Sequence, residues 1–145
     1  SAAWKKTGTT TDEVTSAVDA LIAEKVDARF TPTDNTIMTA ELAIYEKFLN
    51  AKIPQYCGAD SFALNGAFAL GVDYTKLGTI TADMVVQVLV DGKDPATLPV
   101  TTFDSIAMIN TESCTALGYD LTAVKQAFDG KCSSVLETTT QQNFD

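Results

Sequence analysis

The chain has 145 residues, of which 46% are hydrophobic, enough for one domain of ordinary size with a real core and too apolar for disorder. Its formal charge of −9 disfavours nucleic-acid phosphates as partners, because no basic patch is available to release counterions. There is no histidine, which removes Ser-His-Asp and Cys-His catalysis and the commonest transition-metal ligand.

In chain order, Thr10-Thr11-Asp12-Glu13 has the pattern of a capping box, and Val14, Ala17, Val18, Leu21 and Ile22 follow at helical spacing. A helix is predicted over about 11–24. Val26 to Thr31 reads as a short strand that ends at Pro32, with Phe30 as a core residue. The turn at 32–36 offers several N-caps for a helix running to about Asn50, whose apolar face is Ile37, Ala40, Ile44 and Phe48. Ile53 to Cys57 is a second strand, and Gly58-Ala59-Asp60-Ser61 a loop leading into a short helical turn, with Phe62 a candidate pocket wall. Ala67 to Val72 is a third strand. Asp73 caps a longer helix carrying Leu77, Ile80, Met84 and Val88, ended by Gly92. A polar connection over 93–99 precedes a fourth strand, Ser105 to Ile109. Asn110 or Thr111 caps a short helix that stops at Gly118, and Leu121, Val124 and Phe128 mark a last one. The Thr/Gln-rich end from Ser133 to Asp145 is expected to be loosely held.

Strands alternating with helices predict an α/β fold, a parallel sheet flanked by helices on both faces. Ligands of such sheets sit beyond the carboxyl ends of the strands. That places candidate ligand contacts at Thr33, Asp34 and Asn35, at Asp60 and Ser61, and at Tyr74, the last able to stack on an aromatic or sugar ligand. Asp34 and Asn35 would meet an ammonium group, and the helix N-terminus a carboxylate. The plainer alternative is that Asp34 and Asp60 only cap helices, and that Tyr74 only packs. Trp4 lies near the chain start, where missing neighbours would leave it exposed.

The three cysteines contain no C-x-x-C pair, so neither a zinc ribbon nor a thioredoxin-type motif is present. Cys57 is expected to be a buried thiol. Cys114 and Cys132 fit either a disulfide in an oxidising compartment or two free thiols. No receiver-type acidic cluster and no glycine-rich phosphate loop is found, and no cofactor is implied. No signal peptide or lipidation motif is visible, and the start at Ser1 has the look of a processed or excised segment.

Several segments in order carry a family likeness: Val26-Asp27-Ala28 into Pro32-Thr33-Asp34-Asn35, then Ala51-Lys52-Ile53-Pro54, Asn65-Gly66-Ala67, Gly71-Val72-Asp73-Tyr74 with Leu77-Gly78, Asp94-Pro95-Ala96-Thr97-Leu98-Pro99-Val100, and Ile109-Asn110 before Ala116-Leu117-Gly118. From about Thr10 to Tyr119 this set resembles the ABC-transporter substrate-binding family that includes tryptophan- and tyrosine-binding lipoproteins. The resemblance implies a type I periplasmic-binding fold: two α/β lobes clamping a ligand, of which this chain is the latter part, mainly the second lobe. By the same likeness, residues 1–119 form a partial solute-binding domain and 120–145 a C-terminal extension. Ala3 to Thr7 would stand at the second strand of that lobe, and the helix from Asp73 to Gly92 would pack on the first lobe. A chain so truncated would pack differently, pair with a second copy through the truncated surface, or be a cleavage product.

The resemblance puts Thr33, Asp34 and Asn35 in a loop facing the cleft and Asp60 in the next cleft loop. It implies a small-molecule ligand such as an amino acid, an ABC permease as partner, and an extracytoplasmic, lipid-anchored or periplasmic location. Arg29 and Thr31 stand where apolar residues are expected, and Tyr56-Cys57-Gly58 is unusual before the second loop, which allows a ligand other than tryptophan. A receptor without chemistry ranks first. A ligand-sensing lobe of a regulator ranks second, since no basic helix-turn-helix is present, and a small α/β enzyme third, since no acid–base or nucleophile cluster is found.

Overall fold

The computed structural model describes residues 9–102 and 104–141. Trp4 and the proposed strand Ala3 to Thr7 lie outside the described residues, as does the end of the tail over 142–145.

Helix α1 (Thr11–Ala23) begins where its cap places it: Thr10 Oγ1 accepts from the Glu13 amide at 3.3 Å, and Glu13 reaches back to the Thr9 amide at 2.6 Å. Strand β1 (Arg29–Thr31), helix α2 (Asn35–Asn50), strand β2 (Gln55–Cys57), a 3-10 turn (Asp60–Leu64) and strand β3 (Phe68–Gly71) follow. Helix α3 (Tyr74–Leu89) leads to a second 3-10 turn (Pro95–Thr97), strand β4 (Ile106–Asn110), helices α4 (Thr111–Leu117) and α5 (Leu121–Phe128), and strand β5 (Ser134–Thr138). Gly118 ends α4 in the left-handed region at φ 81°, a conformation that costs glycine least.

The strands form one sheet in the order β1-β2-β3-β4-β5. Paired residues share a face and successive residues alternate, so the Tyr56–Phe68 pair points one way and the Cys57–Ala69 pair the other. On the Cys57 face, α1, α2 and the 3-10 turn at Asp60–Leu64 build the larger core from Val14, Val18, Ile37, Ile44, Phe48 and Phe62. On the other face, Phe68, Ile109 and Cys114 are covered by Leu117, Leu121, Val124 and Phe128. The α/β class and the flanking helices agree with the sequence reading.

Four expectations are corrected. The sheet is mixed: β4 runs antiparallel to β3, with Phe68 opposite Ile109, while all other pairs are parallel. The cause is α3, which buries none of its residues and so does not close a β-α-β crossover over the sheet; the chain is free to re-enter from the opposite end. The tail is not loosely held over its described part. It contributes β5, paired with β4 along its whole length, and the Gln141 amide then donates to Leu64 O at 2.9 Å. Phe30 is 68% exposed rather than core, because Arg29 and Thr31 take the inward positions of β1. Phe62 is in the core rather than on a pocket wall. Of the two readings for Cys114 and Cys132, the free thiols hold, as for the buried Cys57.

Candidate functional site

Strands β1, β2 and β3 are parallel, so their carboxyl ends, Thr31, Cys57 and Gly71, fall on one edge of the sheet. All six candidate residues follow those ends. Asp34 is the N-cap of α2, its Oδ1 accepting from the Ile37 amide at 3.0 Å, which leaves Oδ2 for other partners. Thr33 and Asn35 flank it and are exposed. Asp60 departs from the capping reading: Ala59 occupies the cap position of the 3-10 turn, and Asp60 Oδ1 accepts from the neighbouring Ser61 amide at 2.8 Å. Tyr74 opens α3 behind the Asp73 cap and is 53% exposed, which fits either a ring open to a ligand or a half-buried packing residue.

The three loops touch through glycines. The Gly58 amide donates to Thr31 O at 2.9 Å, and a Cβ on Gly58 would stand 3.1 Å from Thr33 Oγ1. A Cβ on Gly71 would meet Gly58 O at 2.7 Å and Ala59 Cα at 3.1 Å, both backbone atoms that cannot swing aside. Gly71→Ala should therefore push the β2 and β3 loops apart and cost about 1–3 kcal/mol, read by urea unfolding. An unchanged midpoint would show that the contact gives way freely. Gly58 and Gly71 are contributions that the residue pattern did not single out; their signal was a glycine at each strand end, one before and one after an acidic loop.

Toward the amino ends of β1 and β2, on the inner face of the sheet, lies a buried polar set. Arg29 Nη1 donates to Gln55 Oε1, and Gln55 Nε2 donates to Glu41 Oε1 at 2.8 Å. Glu41 Oε2 stands 4.0 Å from Arg29 Nη1 and has no hydrogen bond. The Arg29 guanidinium carbon also sits 4.7 Å over the Phe48 ring. Burial pushes the Glu41 carboxyl up to about 7, with Arg29 pulling it partly back. Burial likewise lowers the Arg29 guanidinium, with Glu41 opposing. Desolvation first, and the Glu41 charge second, push the Cys57 thiol up to about 12, so it is no nucleophile at neutral pH. The edge thus offers hydroxyls, an amide, carboxylates and an exposed phenol, suited to holding a small polar molecule, with no poised nucleophile–base pair among them.

A model of the ABC transporter substrate binding protein family matches residues 6–124. The chain belongs to this family. A tyrosine-binding protein of Clostridioides difficile (strain R20291) is 36% identical over 105 residues, which is 71% of this chain and 30% of that protein. Among solved structures, the ABC domain from Streptococcus pneumoniae in complex with L-Trp is 30% identical with a TM-score of 0.68, over 88% of this chain and 42% of that one. A conserved domain protein from Vibrio cholerae O1 biovar El Tor is also 30% identical, with a TM-score of 0.69 over 90% of this chain and 43% of that one. The ligand-free, open structure of a substrate binding protein with adhesive properties from Clostridium difficile shares the fold, with a TM-score of 0.73 over 95% of this chain and 44% of that one at 24% identity. The chain therefore spans less than half the length of each of these relatives.

Proposed function

We propose that this chain forms one wall of the ligand cleft of a solute receptor for an ABC importer, and that the ligand is an amino acid, with an aromatic one the first candidate. The observation that carries this reading is the convergence of the Thr33–Asn35, Asp60–Ser61 and Asp73–Tyr74 segments at one sheet edge of a substrate-binding-family chain. The relatives' ligands, tyrosine in one name and L-Trp in one complex, support the class. Asp34 Oδ2 and Asn35 would face the ammonium group, Thr33, Asp60 and Ser61 would add polar contacts, and Tyr74 would lie along the apolar part. No catalytic residue takes part.

Helix α3 buries nothing and exposes Leu77, Val85, Val86 and Leu89. We assign residues 1–119 to a partial solute-binding domain, with α3 offered to a first lobe, and 120–145 to a C-terminal extension whose strand β5 joins the same sheet. The receptor would work outside the cytoplasm, as a lipid-anchored or periplasmic partner of a permease. A second copy covering the α3 surface is the alternative occupant.

The test is thermal melting, with each aromatic amino acid, of a form carrying both lobes and of this chain. Ligand at 100 times Kd stabilises by about 2.7 kcal/mol, so a clear rise is expected for the two-lobed form and little for this chain alone. In the two-lobed form, Asp34→Asn keeps a good cap and removes the charge. It should leave the unliganded melting point unchanged and weaken binding about tenfold or more. No shift with any amino acid overturns the ligand class, and an unchanged affinity in Asp34→Asn overturns the role of that carboxylate.

A further inference from the structure

The buried polar set joins the three elements that carry the first two candidate loops. Arg29 lies on β1 two residues before its end at Thr31, Gln55 on β2 two residues before Cys57, and Glu41 on α2 seven residues after the Asp34 cap. The strand residues therefore sit about 7 Å below the loops, and Glu41 about 10 Å along α2 from Asp34. All three side chains are enclosed: Arg29 is 9% exposed, Gln55 3% and Glu41 1%. Above them, the Gly58 amide on Thr31 O ties the two loops to each other.

The bonding of this set is incomplete. Arg29 Nη1 donates to Gln55 Oε1 and Gln55 Nε2 to Glu41 Oε1, so two bonds run in series from β1 through β2 to α2. Glu41 Oε2 is left without a hydrogen bond, 4.0 Å from Arg29 Nη1. A charge-assisted bond from a guanidinium spans about 2.7–2.9 Å, so the pair is about 1 Å short of a direct one. Two arrangements follow. With a proton on Glu41, the guanidinium stays on Gln55. With Glu41 ionised, Oε2 attracts the guanidinium, and because Gln55 holds Arg29 on the sheet side, the gap closes by movement of α2 toward β1.

Arg29 is the charge that acts on Glu41, and burial outweighs it, raising the carboxyl to about 7. From β2 the Cys57 thiol, pushed up to about 12, stays neutral. From α1 the group that meets α2 is Asp19, engaged by Lys47 at 2.6 Å, six residues beyond Glu41. From α4 it is Glu112, which accepts from the Thr140 amide and lies beside Glu46 rather than Glu41. With no histidine in the chain, the side chain that most often titrates near neutrality is missing, so a transition there points to Glu41.

We propose that Arg29, Gln55 and Glu41 form a two-position proton switch that sets where α2 presents Asp34 and Asn35 relative to the Gly58–Ser61 loop. The switch belongs to the ligand-free chain. Its consequence for binding, an affinity that depends on pH, rests on the cleft reading. Ionised Glu41 also cancels the Arg29 charge beneath Asp34, which favours an ammonium group there, so affinity should be higher above the transition than below it.

The experiment is a pH titration of this chain by NMR, from about pH 5.5 to about 8.5, following backbone amides and the Glu41 side-chain carboxyl carbon. The amides of Thr33, Asn35 and Gly58 should shift with one midpoint near 7, shared with the Glu41 carboxyl, while the amides of α5 should not follow it. In Glu41→Gln the loop amides should start at the parent's low-pH positions and stay there. In Arg29→Met the midpoint should move up, because Arg29 lowers it in the parent. Loop amides that stay still while Glu41 titrates, or a loop transition that persists in Glu41→Gln, overturn the switch. In a two-lobed form, affinities for L-Trp and L-Tyr should differ about fivefold or more across the transition in the parent and not in Glu41→Gln. Equal affinities on both sides overturn the coupling to ligand. If neither amino acid binds, the cleft reading fails on its own, and the amide titration still decides the switch.

Discussion

Glu41→Ala should cost about 3–5 kcal/mol at pH 7, a large part of the 5–15 kcal/mol that usually separates folded from unfolded domains. Glu41 is 1% exposed, and its loss removes the acceptor of Gln55 Nε2 and, among the described residues, the one carboxylate beside the buried Arg29. Arg29 would retain Gln55 Oε1 and the Phe48 face, neither of which carries negative charge. The pair itself is not a source of net stability, because burial outweighs the Coulomb attraction for both partners. Replacing both ends, Arg29→Met with Glu41→Leu, should therefore recover most of the loss or exceed the parent. Urea unfolding of the two single variants and the double one measures this directly. A double variant no better than Glu41→Ala would show that the cost lies in packing around α2 rather than in an orphaned charge.

The same residues mark where the sequence was legible and where it was not. Helix starts were readable because each depends on a local side chain: Thr10, Asp34, Asp73 and Asn110 all accept from an amide three residues on. Strand β1 was misread at Phe30 because alternation normally sends the aromatic inward. Here Arg29 and Thr31 point in and Phe30 points out, an inversion that makes sense only once Glu41 and Gln55, distant in sequence, wait on the inner face. Strand β5 was missed because Ser134–Thr138 is a half-exposed edge strand with little apolar signal, held by its ladder to β4. The direction of β4 was hidden because it depends on where α3 goes, and nothing within α3 records that it covers no sheet. For the candidate site, the Thr33–Asn35 and Asp60–Ser61 loops follow strand ends as the strand-end rule expects. The glycine contacts that bring those loops together depend on strand register, which local sequence does not carry.

Stability should also fall as pH rises from about 4.5 to about 7, and the fall should vanish in Glu41→Gln. The Glu41 carboxyl is raised from its ordinary 4.5 to about 7 in the folded chain. Between those values the folded state keeps the proton on Glu41 while the unfolded state has released it. The folded state therefore binds more protons, and the free energy of unfolding declines with rising pH across that window and levels off above it. The full decline is about 3 kcal/mol. This runs against the commoner pattern, in which paired carboxylates lose stability on acidification. The difference between parent and variant isolates Glu41. Glutamine keeps an oxygen to accept from Gln55 Nε2 and cannot ionise, so its stability curve should be flat where the parent's slopes. The measurement is urea midpoints at closely spaced pH values from 4.5 to 8 for both proteins, with the range set by the Glu41 shift. Parallel curves would mean that Glu41 is ionised in the folded state throughout. Arg29 would then hold the charge more strongly than their separation of 4.0 Å implies.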